Sequence, residues 1–82
     1  MTIDMICNNK GVIVRHGKKS FLFSYGTMIL TREYYGGACR CYRCFRNESL
    51  LTNTTLRHIR EYMCVNHVTR KQVMSLPYKE VK

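Results

Sequence analysis

Cys41-Tyr42-Arg43-Cys44 and Cys64-Val65-Asn66-His67 are two pairs of soft ligands with the same internal spacing. Cys-x-x-Cys followed by Cys-x-x-His suits a tetrahedral zinc site built from three thiolates and one imidazole. Cys64 and His67 would project from one face of a helical turn, as a ligand pair must. Two features oppose zinc. A metal knuckle needs a tight turn, usually eased by glycine, and Cys44 is followed by Phe45. A strand over residues 38–46 would also point Cys41 and Cys44 to opposite faces. A Cys39/Cys41/Cys64 grouping is easier from a strand, but its spacing is less diagnostic. The competing reading needs no cofactor and makes the cysteines small apolar residues or idle thiols.

The second constellation is basic and aromatic. Lysine and arginine total 14 against 5 acidic residues, a formal charge of +9. The cations are spread along the chain rather than gathered in a tail. Arg32, Arg40, Arg43 and Arg46 interleave with Tyr34, Tyr35 and Tyr42, and Arg57, His58 and Arg60 follow on a candidate helix. Arginine with tyrosine suits phosphates and unstacked bases. The same pair of residue types is enriched at protein interfaces, and a basic surface also keeps a small protein in solution. For His58 the structural alternative is a ring that hydrogen-bonds to the sheet or to Thr55 and orients the helix.

Catalysis finds little support. No glycine-rich phosphate loop, HExxH or GxSxG pattern occurs. Thr54 and Thr55 have no base placed to activate them, and they read as capping groups in the first turn of a helix. The chain is expected to be non-enzymatic.

The elements that would position these residues fall into two halves. Asn8-Asn9-Lys10-Gly11 and His16-Gly17-Lys18-Lys19 are turn chemistry, with the β-branched run Val12-Ile13-Val14 between them. Residues 20–31 read as extended chain bent at Gly26. Their alternation predicts one face carrying Phe21, Phe23 and Tyr25. Tyr34-Tyr35-Gly36-Gly37 is a strong hairpin signal, with residues 38–46 as the returning strand. Thr52-Asn53-Thr54-Thr55 opens a helix, with side-chain oxygens available as caps. Leu56, Ile59 and Met63 recur at helical spacing, while Arg57, His58 and Glu61 read as the outer side. The helix is expected over about residues 53–66. A short one is expected over about 69–75 and ended by Pro77, and residues 77–82 read as a loose tail. The 82 residues form one small domain of the α+β class: an antiparallel sheet of hairpins over about residues 3–46, packed by a C-terminal helix. The expected core is the Leu56–Ile59–Met63 stripe against Phe21 and Phe23.

Two motifs carry a resemblance. Ser24-Tyr25-Gly26-Thr27 is followed by the apolar pair Met28-Ile29, and Thr52-Asn53-Thr54-Thr55-Leu56-Arg57-His58-Ile59 follows a variable hairpin. Together, over about residues 19–63, they resemble a family of short phage-encoded proteins of unassigned function. That family's pattern is a Ser-Tyr-x-Thr strand motif and a Thr-Thr-x-basic-His helix start. The family usually has Tyr-Ser where this chain has Leu51-Thr52. The Cys39, Cys41 and Cys44 cluster lies outside the family pattern. The resemblance implies an accessory role during infection, in the host cytoplasm, with no established catalytic residue.

The expected function is therefore a non-enzymatic phage accessory protein whose basic surface binds nucleic acid. The alternatives are a host-directed inhibitor of an acidic host protein and a minimal zinc-binding module. No run of apolar residues is long enough for a transmembrane helix, and residues 1–10 lack the pattern of a secretory signal. No membrane partner is expected, and the five cysteines should then be mostly reduced thiols. An exposed edge strand would allow a homodimer.

Overall fold

The computed structural model describes residues 2–6 and 10–80. Five strands form one antiparallel meander: β1 (Thr2–Ile6), β2 (Gly11–His16), β3 (Lys19–Ser24), β4 (Thr27–Tyr35) and β5 (Ala38–Arg43), adjacent in chain order. A single turn of 3-10 helix, Glu48–Leu50, leads to α1 (Asn53–Met63) and then α2 (Arg70–Met74). The α+β class expected from the sequence is the one observed. The β4–β5 connection is the two-residue turn Gly36-Gly37, and both glycines have positive φ, the backbone a tight hairpin of this kind requires.

The helix starts where its hydroxyls predict. The Thr52 side chain accepts from the Thr55 backbone N–H at the start of α1. The end comes earlier than residue 66: Cys64 adopts a left-handed conformation with φ 57°, and its N–H caps the carbonyls of Arg60 and Glu61. Thr69 caps α2 reciprocally with Gln72. The Arg70 Nε donates to the Leu51 carbonyl at 2.8 Å, fastening α2 to the chain ahead of α1.

Leu56 and Ile59 are buried as expected, together with Ile13, Leu22, Leu30, Phe45, Leu51, Val68 and Val73. Met63 is half-buried and packs against this core. The sheet presents the opposite side from the one expected. Ser20, Leu22 and Ser24 are 3%, 0% and 3% exposed beneath α1, while Phe21 and Phe23 point away and stay half-exposed. The reason lies on the helix. Thr55, His58 and Tyr62 share the buried face of α1 at i, i+3 and i+7 spacing, and their polar atoms need partners. The serines supply them: Ser20 Oγ meets the Tyr62 hydroxyl at 2.6 Å, and Ser24 Oγ meets His58 Nδ1 at 2.7 Å. Phenylalanines there would have left these groups buried and unsatisfied, which costs more than the apolar area they add.

Gly11 lets the helix come close. A Cβ on it would lie 2.7 Å from Ile6 Cγ1 and 3.2 Å from His58 Cδ2. On β4, Ile29 is the extra residue of a bulge between the pairs Leu22–Leu30 and Phe23–Met28. The bulge turns both Ile29 and Leu30 into the core.

The tail is not loose over residues 77–79. Tyr78 bridges Arg43 in parallel. The Arg43 N–H donates to the Pro77 carbonyl at 2.9 Å, and the Lys79 N–H donates to the Arg43 carbonyl at 3.0 Å. Residues 81 and 82 lie outside the described residues.

Candidate nucleic-acid interface

In a meander, alternate turns fall at the same end of the sheet. The β2–β3 turn at Gly17-Lys18 and the β4–β5 turn at Gly36-Gly37 are therefore neighbours, joined by a hydrogen bond of 2.9 Å from the Tyr34 N–H to the Lys18 carbonyl. Between them lies a cleft of about 420 Å³ lined by Lys18, Lys19, Glu33, Tyr34, Tyr35 and Gly36. Tyr34 and Tyr35 are 42% and 54% exposed. They sit on opposite faces of β4 and so flank the strand end with two rings. The Arg40 guanidinium stands 6.0 Å from the Tyr35 ring centroid, within cation–π range.

Glu33, the carboxylate in this cleft, is 4% exposed and already engaged. Lys79 Nζ and the Tyr35 hydroxyl both donate to it, and Lys19 Nζ lies 4.0 Å away. The Lys79 hydrogen bond, joined by that from Tyr35, holds its carboxyl below the usual carboxylate range. Lys18 and Arg40 make no ion pair among the described residues. The cleft thus offers cations beside exposed aromatic rings, a combination that can hold a phosphate and stack a base.

The other expected contact residues are distributed elsewhere. Tyr42 is half-buried, with Lys79 Nζ 5.3 Å from its ring centroid. Arg46 is exposed, 4.6 Å over the Tyr78 ring. Arg57 and Arg60 line a separate groove of about 390 Å³ on α1 with Glu61, Cys64, Val65 and Asn66. Three expected contacts are corrected. His58 is 0% exposed, so its ring orients the helix through Ser24 and touches no partner. Burial lowers its affinity for a proton, and the neighbouring Arg57 adds to this. Arg43 is tied inward: its Nε donates to the Leu76 carbonyl at 3.0 Å and its Nη1 to the Phe45 carbonyl at 2.7 Å. Arg32 is half-buried under the helix, 5.0 Å over the Tyr62 ring. Burial in turn pushes the Tyr62 hydroxyl up to about 12.

Lys18 and Lys19 were not among the expected contacts because they read as turn residues. The available signal was the meander itself, which brings the first and third tight turns together.

The ligand set expected for zinc does not assemble. Cys41 and Cys44 are half-buried at the end of β5, whereas Cys64 and His67 are exposed beyond α1. Among the described residues no three His, Cys, Asp or Glu side chains are grouped to hold a metal ion. Burial pushes the Cys41 and Cys44 thiols up, which disfavours the thiolate that metals and nucleophilic chemistry both need. Cys7 lies outside the described residues. The Ser24–His58 pair has the length of a nucleophile–base contact, but both residues are sealed in the core. Among the described residues no helix is long and apolar enough to cross a membrane. No protein-family model matches the chain, and comparisons with curated proteins and with solved structures give no match.

Proposed function

We propose that this chain is a non-enzymatic accessory protein of phage type that binds nucleic acid in the host cytoplasm, through the cleft between its two hairpin tips. The observation that carries this reading is the grouping of Lys18, Lys19 and Arg40 around the exposed rings of Tyr34 and Tyr35 at one end of the sheet. Phosphates displace counterions at the cations, and an unpaired base stacks on a tyrosine. Single-stranded nucleic acid is favoured, because a base inside a duplex exposes no face for stacking. Arg57 and Arg60 offer a second basic groove along which a longer strand can run.

Fluorescence anisotropy with a labelled single-stranded oligonucleotide across a salt series tests this. The logarithm of the affinity should fall linearly with the logarithm of salt concentration. Lys18→Ala should reduce that slope by about 1, and Tyr34→Ala should weaken binding by about 1–3 kcal/mol. Absence of binding at low salt, or an affinity indifferent to salt, overturns the reading. So does nuclease-treated capture from a host lysate that retains a stoichiometric acidic protein and no nucleic acid.

A further inference from the structure

The two-residue turn between β3 and β4 is Tyr25-Gly26, and both residues have positive φ, 51° and 80°. A hairpin turn with this backbone favours asparagine, aspartate or glycine at its first position. A tyrosine there holds a conformation that L side chains disfavour, and residues held in this way cluster at functional sites. The ring adds little to the core. It is 60% exposed, with its centroid 5.8 Å from that of His58 and its plane tilted by 45°. His58 is itself fixed from beneath by Ser24, so the tyrosine leans on a held ring and turns its bulk to solvent. Two exposed cations belong to the same end of the molecule. The Tyr25 N–H donates to the carbonyl of Lys10 at 2.9 Å, and Arg57 follows on α1 beside His58. Neither makes an ion pair among the described residues.

Building on the nucleic-acid reading above, we propose that Tyr25 is a second stacking platform, and that a single strand runs along α1 from it to the cleft at the hairpin tips. The helix sets the path. His58 meets Ser24 and Tyr62 meets Ser20, so α1 runs antiparallel to β3, with its first turns beside Tyr25 and its last beside the tips. The groove of Arg57, Arg60, Glu61, Cys64, Val65 and Asn66 lies along that line, and two guanidinium groups against one carboxylate leave it net positive. From Thr27 to Tyr34 is seven steps of β4, about 23 Å, within the 32 Å length of the molecule. At about 3.4 Å per nucleotide a stacked strand covers that span with about seven nucleotides. Each end alone offers a ring and a few cations, which hold one base weakly. A strand long enough to reach both makes the second contact intramolecular, and its affinity rises steeply with length. The disfavoured backbone at Tyr25 keeps a ring in place for that second contact.

Fluorescence anisotropy with labelled oligothymidylates of about 4 and about 12 nucleotides tests the bridge. The parent should bind the longer probe at least about tenfold more tightly than the shorter. Tyr25→Asn relieves the turn, so the variant should melt at or above the temperature of the parent. It should nevertheless bind the longer probe about tenfold more weakly, and the shorter within about twofold of the parent. Lys10→Ala should lower the salt slope for the longer probe by about 1. A Tyr25→Asn variant that binds the longer probe as the parent does overturns the proposal and leaves the cleft reading standing. If that variant also melts lower, the ring serves to cover His58 instead. A parent without the gain in affinity with length overturns the bridge, as does an equal loss on both probes in Tyr25→Asn. Absence of binding to either probe overturns the cleft and the platform together.

Discussion

The two faces of the sheet are built from the same strands yet solve different problems. Beneath α1, Ser20 and Ser24 alternate with Leu22 so that the Tyr62 and Thr55 hydroxyls and His58 Nδ1 each meet a serine hydroxyl, while His58 Nε2 is buried without a partner among the described residues. On the other side, Val12, Val14, Phe21 and Phe23 present bulk without polar partners or a covering helix among the described residues. The first face fixes the position of a particular helix. The second has no such addressing, and any flat apolar surface of adequate size can meet it. Hydrophobicity alone therefore does not decide which side of a strand goes inward when the packing element brings its own hydrogen-bonding groups.

The largest test of this contrast is Ile59→Ala. It should cost about 2–5 kcal/mol in chemical denaturation, a large share of a small domain's stability. A variant as stable as the parent would show that the helix side is not the core. Ser24→Ala removes the partner of His58 Nδ1 in a sealed site and should cost about 1–3 kcal/mol. Gly11→Ala forces Ile6 and His58 to give way, and overpacking of this kind costs about 1–3 kcal/mol. If it proves neutral, the approach of α1 to β2 is looser than described.

The pH response sharpens the same comparison. His58 binds a proton less readily folded than unfolded, so acid favours the unfolded chain. Stability is full above the ordinary imidazole value of 6.5 and should decline as pH falls below it. Glu33, whose carboxyl is held low by Lys79 and Tyr35, adds a further loss below its ordinary value of 4.5. Thermal melts of His58→Gln should lose the upper part of this decline and keep the lower. The smallest effect should come from the open face. Val14→Ala, measured in dilute solution, should cost about 1 kcal/mol or less, and a cost matching that of Ile59→Ala would erase the distinction between the faces.

Much of the architecture was legible from local signals. Gly36-Gly37, the Thr52 cap and the Leu56–Ile59 spacing each depend on neighbours in sequence, and each is found in place. The side of β3 that faces the helix was not legible, because periodicity reports that Phe21 and Phe23 share a face without saying which face is buried. His58 was assigned outward beside Arg57, although its spacing from Thr55 and Tyr62 puts it on the buried side. The Arg/Tyr hairpin was visible as a composition. Its division into the free Arg40 and the internally bonded Arg43 depends on residues 76–79, which no local pattern connects to β5. The cleft with Lys18 and Lys19 is likewise a product of topology.

The attachment of Pro77, Tyr78 and Lys79 to β5 has a consequence for synthesis. Residues emerge from the ribosome in order, so β5 is complete while the segment that pairs with Arg43 at its end is still being made. Until then the backbone groups of Arg43 are free to recruit a strand from another nascent chain. Loss of residues 77–79 would leave the Arg43 backbone groups exposed at the sheet edge of the folded chain.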